Sequence, residues 1–259
     1  MFSKVFINSK NAYGRDIKRK VEKILDQLGI DHVYENLHDI DLAILIGGDG
    51  TLFGNQSFLS CPILGINPGH SVGFFMSADN RDFENKVRKV LLGKEGKDFY
   101  IRNFMRLETK INRTKIPYIC MNDVLVSPIY VRRILDSELR VRGRKSVERN
   151  SGILVYTPGG SHAYARSAGA KPIKDQKRFG VAGIAPYCGM LKRGDVTLSE
   201  GSVSVRCLNK EGEICVDGQE CQVTRIKEGD LVTVTKSKSP ARIIAFEKNF
   251  SGRAHCKKM

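Results

Sequence analysis

No two cysteines in this chain are spaced C-x-x-C, and the seven present (Cys61, Cys120, Cys188, Cys207, Cys215, Cys221 and Cys256) are odd in number. The first deficit argues against a zinc ribbon and the second against a secreted disulfide framework, so a reducing cytoplasm is the expected location. Cys215 and Cys221 are close enough in sequence to face each other across a hairpin, and are expected as buried thiols. Long apolar runs are also missing. The stretch Leu42 to Ile46 falls far short of the roughly 20 residues that a membrane-spanning helix needs. The first ten residues hold no apolar signal core, so a cleaved leader is not expected. Acidic residues are scarce: 28 Asp and Glu stand against 43 Lys and Arg, a net charge of +15. Such an excess favours anionic partners such as nucleic acid, an anionic surface or phosphate-rich small molecules, or simply solubility in a hot or salty cytosol. The most basic segments, Arg132 to Arg149 and Lys236 onward, lack the interleaved aromatics of single-strand binders. They read as solvated faces, so neither nucleic acid nor a membrane is an expected partner.

What is present is globular. Hydrophobic residues are 41% and charged residues 27% of 259, enough for one large domain or two small ones. The first part alternates strand and helix. Lys4 to Ile7, Leu42 to Ile46 and Pro62 to Ile66 read as strands. Ile17, Val21, Ile24, Leu25 and Leu28 recur at helical spacing, with Gly29 at the C-cap, as do Phe83, Val87, Val90 and Leu91. This predicts an α/β domain with a Rossmann-like parallel sheet over 1–95. From 96 to 250 the pattern is β-rich and sandwich-like, with a hairpin whose strands, Glu213 to Val216 and Gln219 to Ile226, flank Asp217-Gly218. The seam is placed at Gly93-Lys94-Glu95-Gly96-Lys97, and 251–259 is a basic tail. The segment before that tail is one that can pack back on the first domain.

Four short stretches carry chemistry. The strand at 42–46 runs into Gly47-Gly48-Asp49-Gly50, where glycines let the backbone approach a ligand and free N–H groups can cradle phosphate. A helix from Leu52 to Phe58 is expected to follow and add its dipole. A carboxylate in such a cradle repels phosphate unless it binds a divalent cation or takes a proton from a nucleophile, which makes Asp49 a candidate base. The loop is neither a Walker A sequence nor a G-x-G-x-x-G fingerprint. A second glycine loop, Leu64 to Phe74, should lie beside the first, with Phe74 and Phe75 as core residues or an aromatic face. Asn122-Asp123 offers an amide and a carboxylate side by side, suited to the two hydroxyls of a ribose. The stretch Thr157 to Gly169 leads from a strand into a short helix of small residues, with Ser161 as a plausible N-cap, Tyr164 as a stacking group and His162 as a phosphate contact or a local cap.

Taken in order, these blocks resemble the NAD kinase family: G-G-D-G at 47–50, L-G-I-N-x-G…G-F at 64–74, the Asn122-Asp123 pair, and T-P-x-G-S-x-A-Y at 157–164, with Asp217-Gly218-Gln219 as a further likeness. The resemblance implies a two-domain fold, α/β then β-sandwich, with the site between them. It implies transfer of the terminal phosphoryl of ATP, or of polyphosphate, to the 2′-hydroxyl of the adenosine ribose of NAD, with Mg²⁺ or another divalent cation. Asp49 is then the base, with Gly48 and Gly50 beside it. Asn122 and Asp123 hold ribose. Phe74, Ala163, Tyr164 and Ser167 line the NAD pocket, Gln219 is a further contact, and Arg133 and Arg149 stand where basic or polar contacts occur. A cytoplasmic homodimer or homotetramer follows from the same likeness. The family's pattern is broken at Ser151, where Asp is usual before Gly152, at Gly159, and at His162, where Thr is usual. Those departures motivate one alternative, a catalytically silent nucleotide sensor on this fold. A lipid kinase shares G-G-D-G but not the 122–123 and 157–164 blocks.

Overall fold

A computed structural model describes residues 2–9, 12–130, 132–209 and 211–252. Cys256 and all but the first two residues of the expected tail at 251–259 lie outside that set. The chain divides into two compact units, one drawn from Met1–Phe104 and Ala241–Met259, the other from Met105–Pro240. The polar stretch at Gly93 to Lys97 therefore lies inside the first unit. The strand after it, Tyr100–Phe104, pairs antiparallel with Ala241–Ala245, which itself pairs parallel with Ile63–Asn67. That long-range pairing, not composition, sets the boundary at Phe104.

In the first unit the elements run β1 (Lys4–Ser9), α1 (Arg15–Gln27), β2 (Asp31–Val33), β3 (Leu42–Ile46), α2 (Asp49–Asn55), β4 (Ile63–Asn67), β5 (Ala78–Asp79), α3 (Phe83–Leu92) and β6 (Tyr100–Phe104). The second unit continues with β7 (Leu107–Ile111), β8 (Thr114–Cys120), β9 (Asp123–Ser127), β10 (Leu135–Val141), β11 (Arg144–Asn150), β12 (Gly152–Tyr156), α4 (Tyr164–Ser167), β13 (Phe179–Ile184), β14 (Thr197–Ser199), β15 (Val203–Cys207), β16 (Glu211–Val216), β17 (Val223–Lys227) and β18 (Leu231–Lys236). The chain then returns to the first unit as β19 (Ala241–Ala245).

The first unit is a sheet in the order β2-β1-β3-β4-β19-β6, with β5 on β4. Every pair is parallel except β19 with β6. All five residues of β3 are buried, which is why its sequence is an unbroken aliphatic run. Ile17, Val21, Ile24 and Leu25 of α1 and Phe83, Val87, Val90 and Leu91 of α3 join one core with β1, β3 and β4. α1 ends in a Schellman cap: the Gly29 N–H bonds to Asp26 O (3.1 Å) and the Ile30 N–H to Leu25 O (3.0 Å). Strand order reverses between β1 and β3. In open α/β sheets the ligand crevice lies outside the strand carboxyl ends at such a point, which is where the first glycine loop begins.

The second unit holds two antiparallel six-stranded sheets, β11-β10-β15-β18-β7-β8 and β14-β13-β12-β9-β16-β17. Leu139, Val205 and Val232 of one sheet share a core with Val126, Ile153 and Val181 of the other, which makes a sandwich. β12 is buried on both faces. Ile153 and Val155 enter the sandwich core, while Leu154 and Tyr156 pack with Ala165 and Ile173 in a second cluster that α4 helps to form. At about 1.5–3 kcal/mol for each buried aliphatic side chain, this strand is a firm base for the loop after it.

Candidate active site

In the first unit the two glycine loops meet. The Gly47 N–H donates to Ile66 O (2.9 Å), so the turns after β3 and β4 lie side by side. The helix expected at Leu52 to Phe58 begins earlier. Gly48 is its extended N-cap, Asp49 and Gly50 open α2, and a single 3₁₀ turn covers Gln56–Phe58. An acid in the first turn suits the helix dipole. The Asp49 carboxylate accepts the Phe74 N–H at 2.8 Å and the Phe75 N–H at 2.9 Å. Each carboxylate oxygen has two lone pairs, so these bonds orient the group and leave it able to take a proton. Gly73 makes that turn possible. It sits at φ +58°, and a Cβ there would lie 2.6 Å from Asn67 Nδ2. Asn67 ties the same loop from within, donating to Ser71 O (2.7 Å) and accepting from the Gly69 N–H (2.8 Å). Phe75 is buried and packs edge-on against Phe53 and Phe104, whereas Phe74 is only half-buried. Phe75 is therefore core, and Phe74 is the ligand candidate of the two.

In the second unit Asn122 and Asp123 form the corner between β8 and β9. Three elements grip that corner. The Thr157 N–H donates to Asn122 O (2.8 Å), and the Thr157 hydroxyl donates to Met121 O (2.5 Å) and accepts the Gly160 N–H (2.9 Å). Gly160 lies against the Asn122 backbone so closely that a Cβ would overlap its carbonyl oxygen. From the other side, the Asp217 carboxylate accepts the N–H groups of Met121 (2.9 Å), Asn122 (2.7 Å) and Asp123 (3.2 Å). Asp217-Gly218 is indeed a type I′ turn, with φ of +51° and +63° and a Gln219 N–H to Val216 O bond of 3.0 Å. The strand does not resume at Gln219, however. A 3₁₀ turn, Glu220–Gln222, intervenes and β17 starts at Val223, which pairs with Cys215. Cys221 is exposed and Cys215 half-buried, so they are not a facing buried pair.

The corner is electrostatically unusual. Burial, reinforced by the nearby Asp217 charge, pushes Asp123 up to about 7. Burial pushes Asp217 up to about 6 against the pull of its N–H donors. Among the described residues, Asn122 Oδ1 is buried without a hydrogen-bond partner, and no hydrogen bond reaches the Asp123 carboxylate. Two adjacent side chains thus hold unspent acceptor capacity, which a diol can satisfy.

The remaining sequence-derived residues are placed as follows. His162 closes the 3₁₀ turn Gly159–His162, Ala163 caps α4, and Tyr164 and Ser167 on α4 are exposed. Ser161 does not cap α4; its hydroxyl accepts the Ile173 N–H (3.0 Å), pinning the loop at 171–173 instead. The Ser151 N–H bonds to Ile184 O (2.8 Å). Gln219 is half-buried and its amide donates to Asp217 O (3.1 Å). Arg149 pairs with Asp136 (2.7 Å), and the Arg133 guanidinium lies 5.0 Å from the Tyr130 ring centre. Sequence reasoning missed the grip of Asp217 and Thr157 on the corner. It also missed Asn150, whose side chain accepts the Gly152 N–H (3.1 Å) and whose buried Nδ2 has no partner among the described residues.

A parallel α/β unit with a carboxylate set in paired glycine loops, and a β-sandwich unit with an amide–carboxylate corner, carry the residue types of a nucleotide-handling enzyme. The sequence pattern of the ATP-NAD kinase N-terminal domain matches residues 9–94, and that of the ATP-NAD kinase C-terminal domain matches 121–246. The chain belongs to the NAD kinase family. An NAD kinase of Clostridium beijerinckii is 30% identical over 261 residues, covering 92% of this chain and 88% of the relative. One of Methanosarcina mazei is 31% identical, covering 84% and 75%. Among solved structures, an NAD kinase from Archaeoglobus fulgidus in complex with ATP superposes with a TM-score of 0.75 at 24% identity, covering 96% of this chain and 95% of that one. Yeast NADH kinase complexed with NADH gives 0.81 at 17% identity, covering 96% and 84%. At those identities the likeness is one of fold.

Proposed function

We propose that this NAD kinase works through Asp49 as general base and the Asn122–Asp123 corner as ribose holder. The 2′-hydroxyl of the adenosine ribose attacks the terminal phosphorus of ATP. A new P–O bond forms, the bond to the bridging oxygen breaks, ADP leaves, and the hydroxyl proton passes to Asp49. A ribose hydroxyl is a poor nucleophile near neutral pH, and a positioned carboxylate contributes roughly 10²–10⁴-fold. The observation that carries this reading is the buried, unpartnered Asn122 Oδ1 beside the Asp123 carboxylate, set in a chain whose glycine loop holds a carboxylate by two amides. Phe74, Ala163, Tyr164, Ser167 and Gln219 are proposed NAD contacts, and Gly48 and Gly50 phosphate neighbours. Arg133 and Arg149 are proposed contacts that must first leave Tyr130 and Asp136. Ser151 and His162 are proposed to alter affinity and leave the reaction type intact. No observation favours the silent sensor.

Among the described residues no cluster of three His, Cys, Asp or Glu side chains offers a metal cage. The lone Asp49 carboxylate, set among glycine-loop amides, suits Mg²⁺, which keeps several waters and takes phosphate oxygens with one or two carboxylates. Asp49 is the residue that would face it, and the ion would neutralise charge on the transferred phosphoryl. Polyphosphate as an alternative donor, a cytoplasmic location and a homodimer or homotetramer complete the proposal. The free state of all six described cysteines supports the location.

The test is purified protein with NAD, ATP and Mg²⁺ and an enzymatic readout specific for NADP. Wild type is expected to form NADP, and Asp49→Asn to lose activity by about 10²–10⁴-fold while still binding NAD. No NADP from wild type, with polyphosphate and NADH also tried, overturns the reading.

A further inference from the structure

Asp217 is remote in sequence from the corner it grips, and nothing about its turn requires a carboxylate. A type I′ turn accepts Asn or Gly in its place. What the turn does not explain is the set of donors: three consecutive backbone N–H groups, of Met121, Asn122 and Asp123, all point at this one buried side chain. The grip is reciprocal, since the Asp217 N–H donates to Asp123 O (2.9 Å). An acid that receives only donors spends its acceptor capacity inside the protein. Asn122 Oδ1, in the corner so held, is buried and keeps its own.

We propose that Asp217 is a positioning residue for the phosphoryl acceptor, folding residues 120–123 into the corner that presents Asn122 and Asp123 to the ribose diol. This rests on the NAD kinase reading above. It adds a division of labour between two neighbouring carboxylates: Asp217 organises the backbone and Asp123 meets substrate. The other titratable groups beside the pair on the surrounding strands are Cys120 on β8 and Cys215 on β16, both thiols pushed up by burial and by these carboxylates. Burial is the larger cause that raises Asp123, and the Asp217 charge is the second. It holds Asp123 up, so that the acid limb of NAD binding reports on Asp217.

The experiment compares wild type, Asp217→Asn and Gly218→Ala in the NADP assay, varying NAD and ATP separately between pH 5.5 and 8.5. In D217N the amide offers one acceptor and turns an NH₂ toward the N–H donors. Its KM for NAD is expected to rise about tenfold or more, the scale of a lost bond to a charged group. Its KM for ATP should stay within about twofold, while the acid limb of kcat/KM for NAD moves to lower pH. A merely structural defect would not move that limb. Gly218 is exposed and a Cβ there meets nothing within 4 Å, so G218A perturbs the turn without removing the charge. It is expected to raise the KM for NAD about threefold and leave the limb in place. If D217N melts below the assay temperature, G218A decides the matter. An unchanged KM for NAD in the folded variant, or equal rises for both substrates, overturns the proposal. Failure of wild type to make NADP would instead overturn the underlying reading.

Discussion

Gly160 has a backbone pressed onto the carbonyl of Asn122, with no space for even one methyl group. Gly160→Ala is expected to destabilise the second unit by about 1–3 kcal/mol, the usual cost of overpacking. A thermal melt should show the loss, and the KM for NAD should rise because the corner itself must shift. At this scale the sequence was legible where chemistry is carried by residue type. Asp49, Asn122 and Asp123 stand out as polar groups at the ends of apolar runs. Asp217 did not, because its partners are backbone amides some 95 positions away and a turn signal already accounted for it. Ser161 misled for a similar reason: a hydroxyl before a helix reads as a cap, yet Ile173 offered a competing donor.

Among the elements, the loop from β4 to β5 is the one that disposes Asp49, the proposed base. Its amides at Phe74 and Phe75 aim at Asp49 only because Gly73 turns left-handed before them. An alanine in that conformation costs about 1–2 kcal/mol, apart from the clash with Asn67 and Met76. Gly73→Ala is expected to lower kcat more than it changes the KM for NAD, because the amides that orient Asp49 move and the Asn122–Asp123 corner does not. Steady-state kinetics with a parallel melt checks this. Strand and helix types were readable from period and capping, since β3 is wholly apolar and α1 closes on Gly29. Element ends were less so. α2 starts at Asp49, where the sequence suggested only a loop, because Gly48 takes the N-cap with no side-chain signal.

For the whole molecule the buried acids set a pH signature. Asp123 and Asp217 both lie above their ordinary value in the folded state, so between about pH 4 and 7 the folded chain holds protons that the unfolded chain has released. Stability is then full at the acid end of that window and falls as pH rises through it. Glu108 and Asp230 act in the opposite sense, held low by hydrogen bonds from Ser237 and from the Lys227 N–H respectively, and their contribution is lost at lower pH. The melting temperature is expected to peak on the acid side of neutral. Asp123→Asn should flatten the decline toward pH 7; an unchanged slope would show that Asp123 is not the group responsible. By itself the sequence determined the class of each half, the glycine loops and the candidate pair Asn122–Asp123, because periodicity, turn chemistry and residue type act over a few neighbouring positions. Only the tertiary structure decided where the first unit ends, what holds the corner and why Asp123 titrates near neutrality. Each of those depends on groups far apart in the chain that burial and hydrogen bonding bring within 3 Å or so of one another.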